Sequence, residues 1–118
     1  HARAEGADLL SQCETRGWNR VALYGQSDLS EIMTLSVRDF DIELVAVIDQ
    51  NASVAEFAGL PVLAAIPDRK DVDALIICNI SQPQAAYDEA CAKFPTENVL
   101  VYEFLGVSKV SNAKRGKK

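Results

Sequence analysis

Residues 20–37 read RVALYGQSDLSEIMTLSV, and the fold class can be inferred from the pattern in this segment. Arg20 to Tyr24 is rich in strand-forming residues and stops at Gly25, which is typical of a strand followed by a tight turn. The apolar residues that come next recur at helical spacing: Leu29, Ile32, Met33 and Val37. The stretch therefore predicts a strand, a turn and a helix, with Asp28 capping the helix and Glu31 completing the capping box.

The rest of the chain repeats this alternation of strands and helices. Further strands are predicted at residues 43–48, 61–63, 74–78 and 98–102. Helices are predicted at residues 3–16, briefly around 54–58, for a turn before Pro67, and from Pro83 to Pro95. Residues 44–48, LVAVI, are all apolar, as expected of a strand buried on both faces of a parallel sheet. The fold class is therefore α/β, a three-layer Rossmann-like sandwich with a mostly parallel sheet of four to five strands.

The domain organisation follows from composition. The chain has 118 residues, 48% hydrophobic and 25% charged, which fits one compact domain. We expect an entry or connector helix in residues 1–18, the Rossmann-like domain in 19–108, and a basic, disordered tail in 109–118. Because the chain begins with His1 and its single methionine is Met33, we expect further sequence upstream.

Several function classes are excluded by what the chain lacks. Cys13, Cys78 and Cys91 are odd in number and set among apolar residues, which favours reduced packing cysteines in a cytoplasmic protein. With His1 as its one histidine, the chain cannot assemble a Ser-His-Asp or Cys-His site or a Cys/His zinc site. A carboxylate pair could still act as acid and base, but the acidic residues are scattered through turns and helix ends, where solvation explains them. We therefore predict no catalytic residues, no metal and no enzyme activity, and we find no membrane-spanning or secretion signal.

Charge is unevenly distributed along the chain. Residues 109–118 carry five basic and no acidic residues, whereas residues 1–108 carry seven basic and seventeen acidic ones, a net charge of −10. An acidic body repels a phosphate backbone, so this domain is not expected to bind nucleic acid by itself.

Three segments follow predicted strands and should meet at one edge of the sheet. In open parallel sheets, ligands bind beyond the carboxyl ends of the strands, where the chain turns into helices. The candidate ligand-binding residues in these segments are Gly25, Gln26, Ser27, Asp28, Asp49, Asn79 and Ser81. For each of them a structural role, as a helix cap or as a turn residue, remains the competing interpretation.

The first segment occupies the place of a G-x-G-x-x-G phosphate loop but keeps only its first glycine. Ser27 and Ser30 replace the other two, and Asp28 puts a negative charge where a diphosphate would lie. No cofactor is firmly predicted, and the loop leaves open a nucleotide or a small anionic ligand. Asp49 follows Gly25 by 24 residues, near the place where an acidic residue binds ribose hydroxyls in nucleotide-binding folds.

Two resemblances extend these interpretations. The segments RVALYG, LVAVID and GLPVL resemble nucleotide-sugar-binding Rossmann-like domains, including the N-terminal domain of bacterial sugar O-acyltransferases. That family's glycine-rich loop reads GQSDLS here, its catalytic histidine has no counterpart, and its hexapeptide repeats are absent. The segments VALYGQSDLSEI and ICNISQPQAAYDEA, with the entry helix, look like the C-terminal domain of bacterial winged-helix regulators, in which a MarR-like DNA-binding module precedes a Rossmann-like domain.

The second resemblance implies a non-catalytic domain that senses a ligand or dimerises within a transcriptional regulator. On this hypothesis the protein is cytoplasmic and homodimeric, responds to a small-molecule effector, and contacts DNA only through the upstream module. The alternative is a nucleotide-sugar-binding domain associated with a sugar-modifying acyltransferase or a related enzyme. A Rossmann-like scaffold without ligand, serving only as an interaction surface, is the third hypothesis.

Overall fold

The computed structural model describes residues 2–109 and contains alternating strands and helices. The helices are α1 (Ala2–Thr15), α2 (Asp28–Ser36) and α3 (Pro83–Lys93). The strands are β1 (Arg20–Tyr24), β2 (Glu43–Ile48), β3 (Glu56–Phe57), β4 (Leu60–Leu63), β5 (Ala74–Ile77) and β6 (Val99–Val101). Short 3₁₀ turns follow at Val37–Asp39, Thr96–Asn98 and Glu103–Leu105.

Within the described residues the strands form one six-stranded sheet in the order β3-β4-β2-β1-β5-β6. All neighbouring pairs are parallel except β3 and β4. The chain moves outward from β1 through β2 to β4, then returns to the other side of β1 for β5 and β6. The direction of winding therefore reverses between β1 and β5, which is the topological switch point of a doubly wound sheet.

Side-chain alternation along the strands creates the three layers. Val21 and Leu23 of β1 lie in the core shared with α1 and α2, whereas Ala22 and Tyr24 face the core shared with α3. This period of two is what a strand covered on both faces requires. The α/β, Rossmann-like sandwich predicted from the sequence is thus confirmed, with one strand more than the four to five expected.

The predicted short helix around residues 54–58 is wrong, because these residues enter a β-hairpin. β3 pairs antiparallel with β4, and the connecting residues Ala58 and Gly59 have φ angles of +52° and +85°. Positive φ at both central residues gives a two-residue turn whose twist matches that of the flanking strands. The helical turn predicted before Pro67 is also absent from the described residues, which form bends there instead.

The helix predicted at residues 3–16 is present, whereas the predicted C-terminal tail lies almost entirely outside the described residues. α1 is present, and its Leu9, Leu10 and Cys13 are buried in the same core as the sheet. The predicted basic tail lies outside the described residues except for Lys109. No helix among the residues described is long and apolar enough to cross a membrane.

Candidate functional site

A cleft of about 620 Å³ opens at the carboxyl ends of β1, β2 and β5, where the switch point lies. Six of the seven predicted site residues line it: Gly25, Gln26, Ser27, Asp49, Asn79 and Ser81. Asp28 does not line the cleft and is exposed on the first turn of α2. The structure therefore brings together all three segments that the strand pattern singled out.

Gly25 shapes the floor of this cleft. Its φ is +116°, and a Cβ atom built on it would lie 2.9 Å from the backbone nitrogen of Asn79. Its own N–H donates to the carbonyl of Ile48 at 2.9 Å. The loops after β1 and β5 thus approach each other so closely that only glycine fits between them.

The N-terminus of α2 is capped by Ser27, so the prediction that Asp28 caps the helix, with Glu31 as partner, is wrong. The Ser27 hydroxyl accepts the backbone N–H of Leu29 at 3.1 Å, and the Ser30 hydroxyl accepts the backbone N–H of Ser27 at 3.1 Å. The two hydroxyls donate in turn to the carbonyls of Cys78 and Gly25, each at 2.6 Å. The two serines that replace phosphate-loop glycines therefore form a reciprocal capping box of their own.

Asp49 lies at the end of β2 on the rim of the cleft. Its Oδ2 accepts the side-chain amide of Gln26 at 2.9 Å, and its Oδ1 accepts the backbone N–H of Asn51 at 3.0 Å. The second contact is the turn role predicted for this residue, whereas the first joins the loops after β1 and β2. Asp49 thus presents a carboxylate, oriented by a neighbouring amide, to the cleft.

Asn79 and Ser81 follow β5 on the opposite wall. The Asn79 Oδ1 accepts the backbone N–H of Gln82 at 2.8 Å and the hydroxyl of Ser81 at 3.3 Å. The side chain of Asn79 therefore stabilises the turn that leads into α3. This is the structural role that competes with ligand binding as an interpretation of Asn79. The exposed hydroxyl of Ser81 remains at the mouth of the cleft.

A cluster around Glu89 also lines the cleft, and sequence reasoning missed it. The Tyr24 hydroxyl donates to Glu89 Oε1 at 2.6 Å, and the Gln50 amide donates to Glu89 Oε2. Burial, together with the hydrogen bond to Glu89, raises the pKa of Tyr24 to about 12. The same bond from Tyr24, followed by that from Gln50, lowers the pKa of Glu89. Strand alternation places Tyr24 on the α3 face, and that signal could have identified its partner on α3.

The lining of the cleft combines two acidic side chains with several apolar ones. Among the described residues that line it, Asp49 and Glu89 are charged and none is a lysine or an arginine. Ile48, Ile80, Ala85 and Ala86 supply the apolar surface, and Ile80 is 48% exposed. Within residues 2–109 no cluster of three or more histidine, cysteine, aspartate or glutamate side chains is arranged to hold a metal ion.

Comparison with known proteins gives a limited likeness. No protein-family model matches the chain. The 4-hydroxy-tetrahydrodipicolinate reductase of Streptococcus uberis is 32% identical over 59 residues, which make up 50% of this chain and 23% of the reductase. The matched segment thus spans less than a quarter of that enzyme's length.

Proposed function

We propose that this chain is a non-catalytic, ligand-sensing domain of a cytoplasmic bacterial transcriptional regulator. It acts as a homodimer and reaches DNA through a winged-helix module that precedes it. The ligand-sensing part of this proposal rests on the cleft at the switch point, where Gln26 and Asp49 from adjacent loops are hydrogen-bonded to each other. The regulator part rests on the resemblance of the segments VALYGQSDLSEI and ICNISQPQAAYDEA. A preformed concave site with a few convergent polar groups is the usual form of a small-molecule site.

The chemistry of the cleft supports binding rather than catalysis. The Tyr24 hydroxyl donates a hydrogen bond to Glu89, and its pKa of about 12 makes it a poor acid or base near neutral pH. Asp49 already accepts two hydrogen bonds, one from Gln26 and one from its own turn. These partners orient the polar groups. The Tyr24 hydroxyl does contact a carboxylate, but the hydrogen bonds that Glu89 accepts lower its pKa, which makes it a weak base toward that hydroxyl.

The alternative, a nucleotide-sugar-binding or related ligand-binding domain of an enzyme, has one observation in its favour. The likeness to a metabolic reductase covers half of this chain, and the rest of an enzyme would then lie outside these 118 residues. The other domains encoded by the same gene distinguish the regulator from the enzyme. A winged helix encoded upstream of His1 supports the regulator, whereas hexapeptide repeats or a second catalytic domain support the enzyme.

Ligand binding is tested by the melting temperature of the chain across nucleosides, nucleotides, dinucleotides, nucleotide sugars, coenzyme A and sugar phosphates. A ligand at about 100 times its Kd adds roughly 2.7 kcal/mol of stability, which is a shift of several degrees for a domain of this size. We expect Asp49→Asn to reduce the shift. Asp28→Asn, which removes an exposed carboxylate outside the cleft, is the matched control. No shift with any ligand would contradict the sensing role and favour the interaction scaffold.

A further inference from the structure

We propose that a groove beside β6 is a docking site for an extended basic segment, and that residues 110–118 of this chain are its occupant. These residues lie outside the described part of the chain. The groove lies at an edge strand of the sheet and not at the cleft, so this proposal does not depend on the proposed function. Three observations support it: the open edge of β6, the charge of the groove, and the place where the chain reaches it.

The first observation is the open edge of the sheet. β6 is the last strand in the order and pairs with β5, so within residues 2–109 no strand lies on its other side. A groove of about 880 Å³ runs along that side, lined by Val99, Leu100 and Val101 of β6 and by residues of α1. Phe104 also lines the groove and is 53% exposed. An extended peptide added at this edge would pair its backbone with β6 and cover apolar surface that is otherwise in water.

The second observation is the charge of the groove. Its described lining contains four acidic residues and two basic ones: Glu5, Asp8, Glu97 and Glu103 against Arg16 and Lys109. The guanidinium of Arg16 is already engaged, because it lies over the Trp18 ring at 4.9 Å from the centroid. Residues 110–118 read VSNAKRGKK and carry four positive charges and no negative one. Complementary charges of this kind favour association of the segment with the groove and make it dependent on salt.

The third observation is the position of the last described residues. Two hydrogen bonds, at 2.8 Å and 3.1 Å, join the backbone of Ser108 to the side chain of Gln84 on α3. Lys109, the next residue, lines the groove. The segment that follows therefore begins at the groove, where its effective concentration is high. Nine extended residues span roughly 30 Å and the three residues of β6 roughly 10 Å, so the segment is long enough to lie along the strand.

A second copy of β6 is a less favourable occupant of this edge. Glu97 and Glu103 lie two residues beyond the two ends of β6. In a twofold antiparallel pairing centred on Leu100, Glu97 of each copy would therefore lie opposite Glu103 of the other. Like charges directly opposite each other destabilise a strand pair. A basic segment has no such conflict, so the edge suits residues 110–118 better than a second β6.

Paramagnetic relaxation in the full chain tests the proposal. A nitroxide spin label is attached to Ala113→Cys in the Cys91→Ser background, in which the two remaining native cysteines are buried. At low salt we expect the label to broaden the amide signals of Gln12 and Leu100, which line the groove. The signal of Phe57, on the strand at the opposite edge of the sheet, should stay sharp. High salt should abolish the broadening, because mobile ions screen exposed charges.

Two pairs of isosteric variants separate the charge of the groove from general charge effects. Asp8→Asn with Glu97→Gln neutralises two exposed carboxylates that line the groove, and it should lower the broadening about threefold, as expected for two exposed ion pairs. Asp28→Asn with Glu31→Gln removes the same charge from exposed positions of α2 outside the groove, and it should leave the broadening unchanged. Circular dichroism and melting temperature establish that both pairs of variants fold.

A mixture of spin-labelled chain with isotope-labelled chain that carries no spin label identifies the occupant. Sharp groove signals in this mixture, with broadening when one chain carries both labels, support docking of a chain's own segment. Broadening in the mixture would show that the segment of a second copy fills the groove, and it would overturn the proposal. The proposal is also overturned if the groove signals stay sharp at low salt in the doubly labelled chain, or if the two pairs of variants behave alike.

Discussion

Gly25 is the residue on which the geometry of the cleft depends most directly. An alanine here would combine a φ of +116° with a contact of 2.9 Å to the backbone of Asn79. We expect Gly25→Ala to destabilise the domain by well over the roughly 1–3 kcal/mol of a strained backbone angle alone. The measurement is urea unfolding followed by circular dichroism.

Gly59→Ala is the matched control for that prediction. Gly59 has a φ of +85°, but a Cβ atom there would meet nothing within 4 Å. It therefore reports the cost of the backbone angle without the close approach. Equal losses in the two variants would show that the loops after β1 and β5 can move apart, and that the cleft is not held by Gly25.

The buried hydroxyl of Tyr102 has no hydrogen-bond partner among the described residues. The ring packs in the core under α1, where a Cβ atom on Gly6 would lie 3.1 Å from the hydroxyl oxygen. Burial raises the pKa of Tyr102. We expect Tyr102→Phe to stabilise the domain by about 1 kcal/mol in urea unfolding, since an unsatisfied buried group is removed. A loss of stability would reveal a partner for the hydroxyl, such as a bound water.

At the scale of single elements, the start of α2 shows where sequence reasoning reaches its limit. Ser27 and Asp28 are adjacent and both are good capping residues, so composition does not choose between them. The choice is made by the turn at Gly25, which brings the Ser30 hydroxyl to the Gly25 carbonyl and the Ser27 hydroxyl to the Cys78 carbonyl. The second of these contacts spans 51 residues of sequence, and no local pattern contains it.

The capping assignment yields a direct comparison of two alanine variants. Ser27→Ala should cost about 1 kcal/mol of unfolding free energy, because it removes the acceptor for the Leu29 N–H. Asp28→Ala should cost about 0.5 kcal/mol, because it loses only the interaction of an exposed charge with the helix dipole. Thermal unfolding of the two variants under the same conditions measures the difference. The reverse order would restore Asp28 as the cap.

The link between β1 and α3 should make stability depend on pH. Hydrogen bonds from Tyr24 and Gln50 lower the pKa of Glu89, so the ionised form stabilises the folded state. That contribution is fully present above about pH 4.5, the ordinary pKa of a glutamate side chain. It is lost as the pH falls through the lower pKa that Glu89 has in the folded state. We expect Tyr24→Phe to reduce the fall in melting temperature between pH 7 and pH 2.5. An unchanged pH profile would mean that Glu89 does not depend on Tyr24.

The helix predicted at residues 54–58 is wrong because local propensity and tertiary pairing disagree there, whereas the strand predicted at 61–63 is present as β4. Ala55 and Glu56 are good helix formers, yet Val62 of β4 pairs with Val47 of the central sheet and its N–H donates to the Ala55 carbonyl. Ala58 then adopts a left-handed φ that its sequence position alone does not predict. Pairing with β4, which is itself paired with the mostly buried β2, thus overrides the helical preference of residues 54–58.

For the whole molecule, the sequence predicts the scaffold better than the site. Strands such as ALII at 74–77 are buried on both faces, and their uninterrupted run of apolar residues predicts this burial. The rule that ligands meet the carboxyl ends of parallel strands placed six of the seven candidate residues around one cleft. Glu89 was missed because it lies in the middle of α3, where no strand end or motif marks it.

The three cysteines test whether the domain unfolds as one unit. Burial raises the pKa of Cys13 on α1 and of Cys78 after β5 to about 12, and both side chains are fully buried, whereas Cys91 is partly exposed. We expect one thiol to react rapidly with Ellman's reagent at pH 8 and two to react only on unfolding. Cys91→Ser should abolish the rapid phase.

The reaction of the two buried thiols also tests whether α1 unfolds together with the sheet. If α1 is part of the sandwich, as its burial with the sheet indicates, Cys13 and Cys78 should become reactive at the same rate and with the same dependence on urea. If α1 is a connector that detaches, Cys13 will react much faster than Cys78, since its helix can open without the sheet. Mass spectrometry of partly labelled protein in the Cys91→Ser background reads the two sites separately. Equal rates would place α1 within the cooperative unit, so that any module joined to it would be coupled to the stability of the sheet.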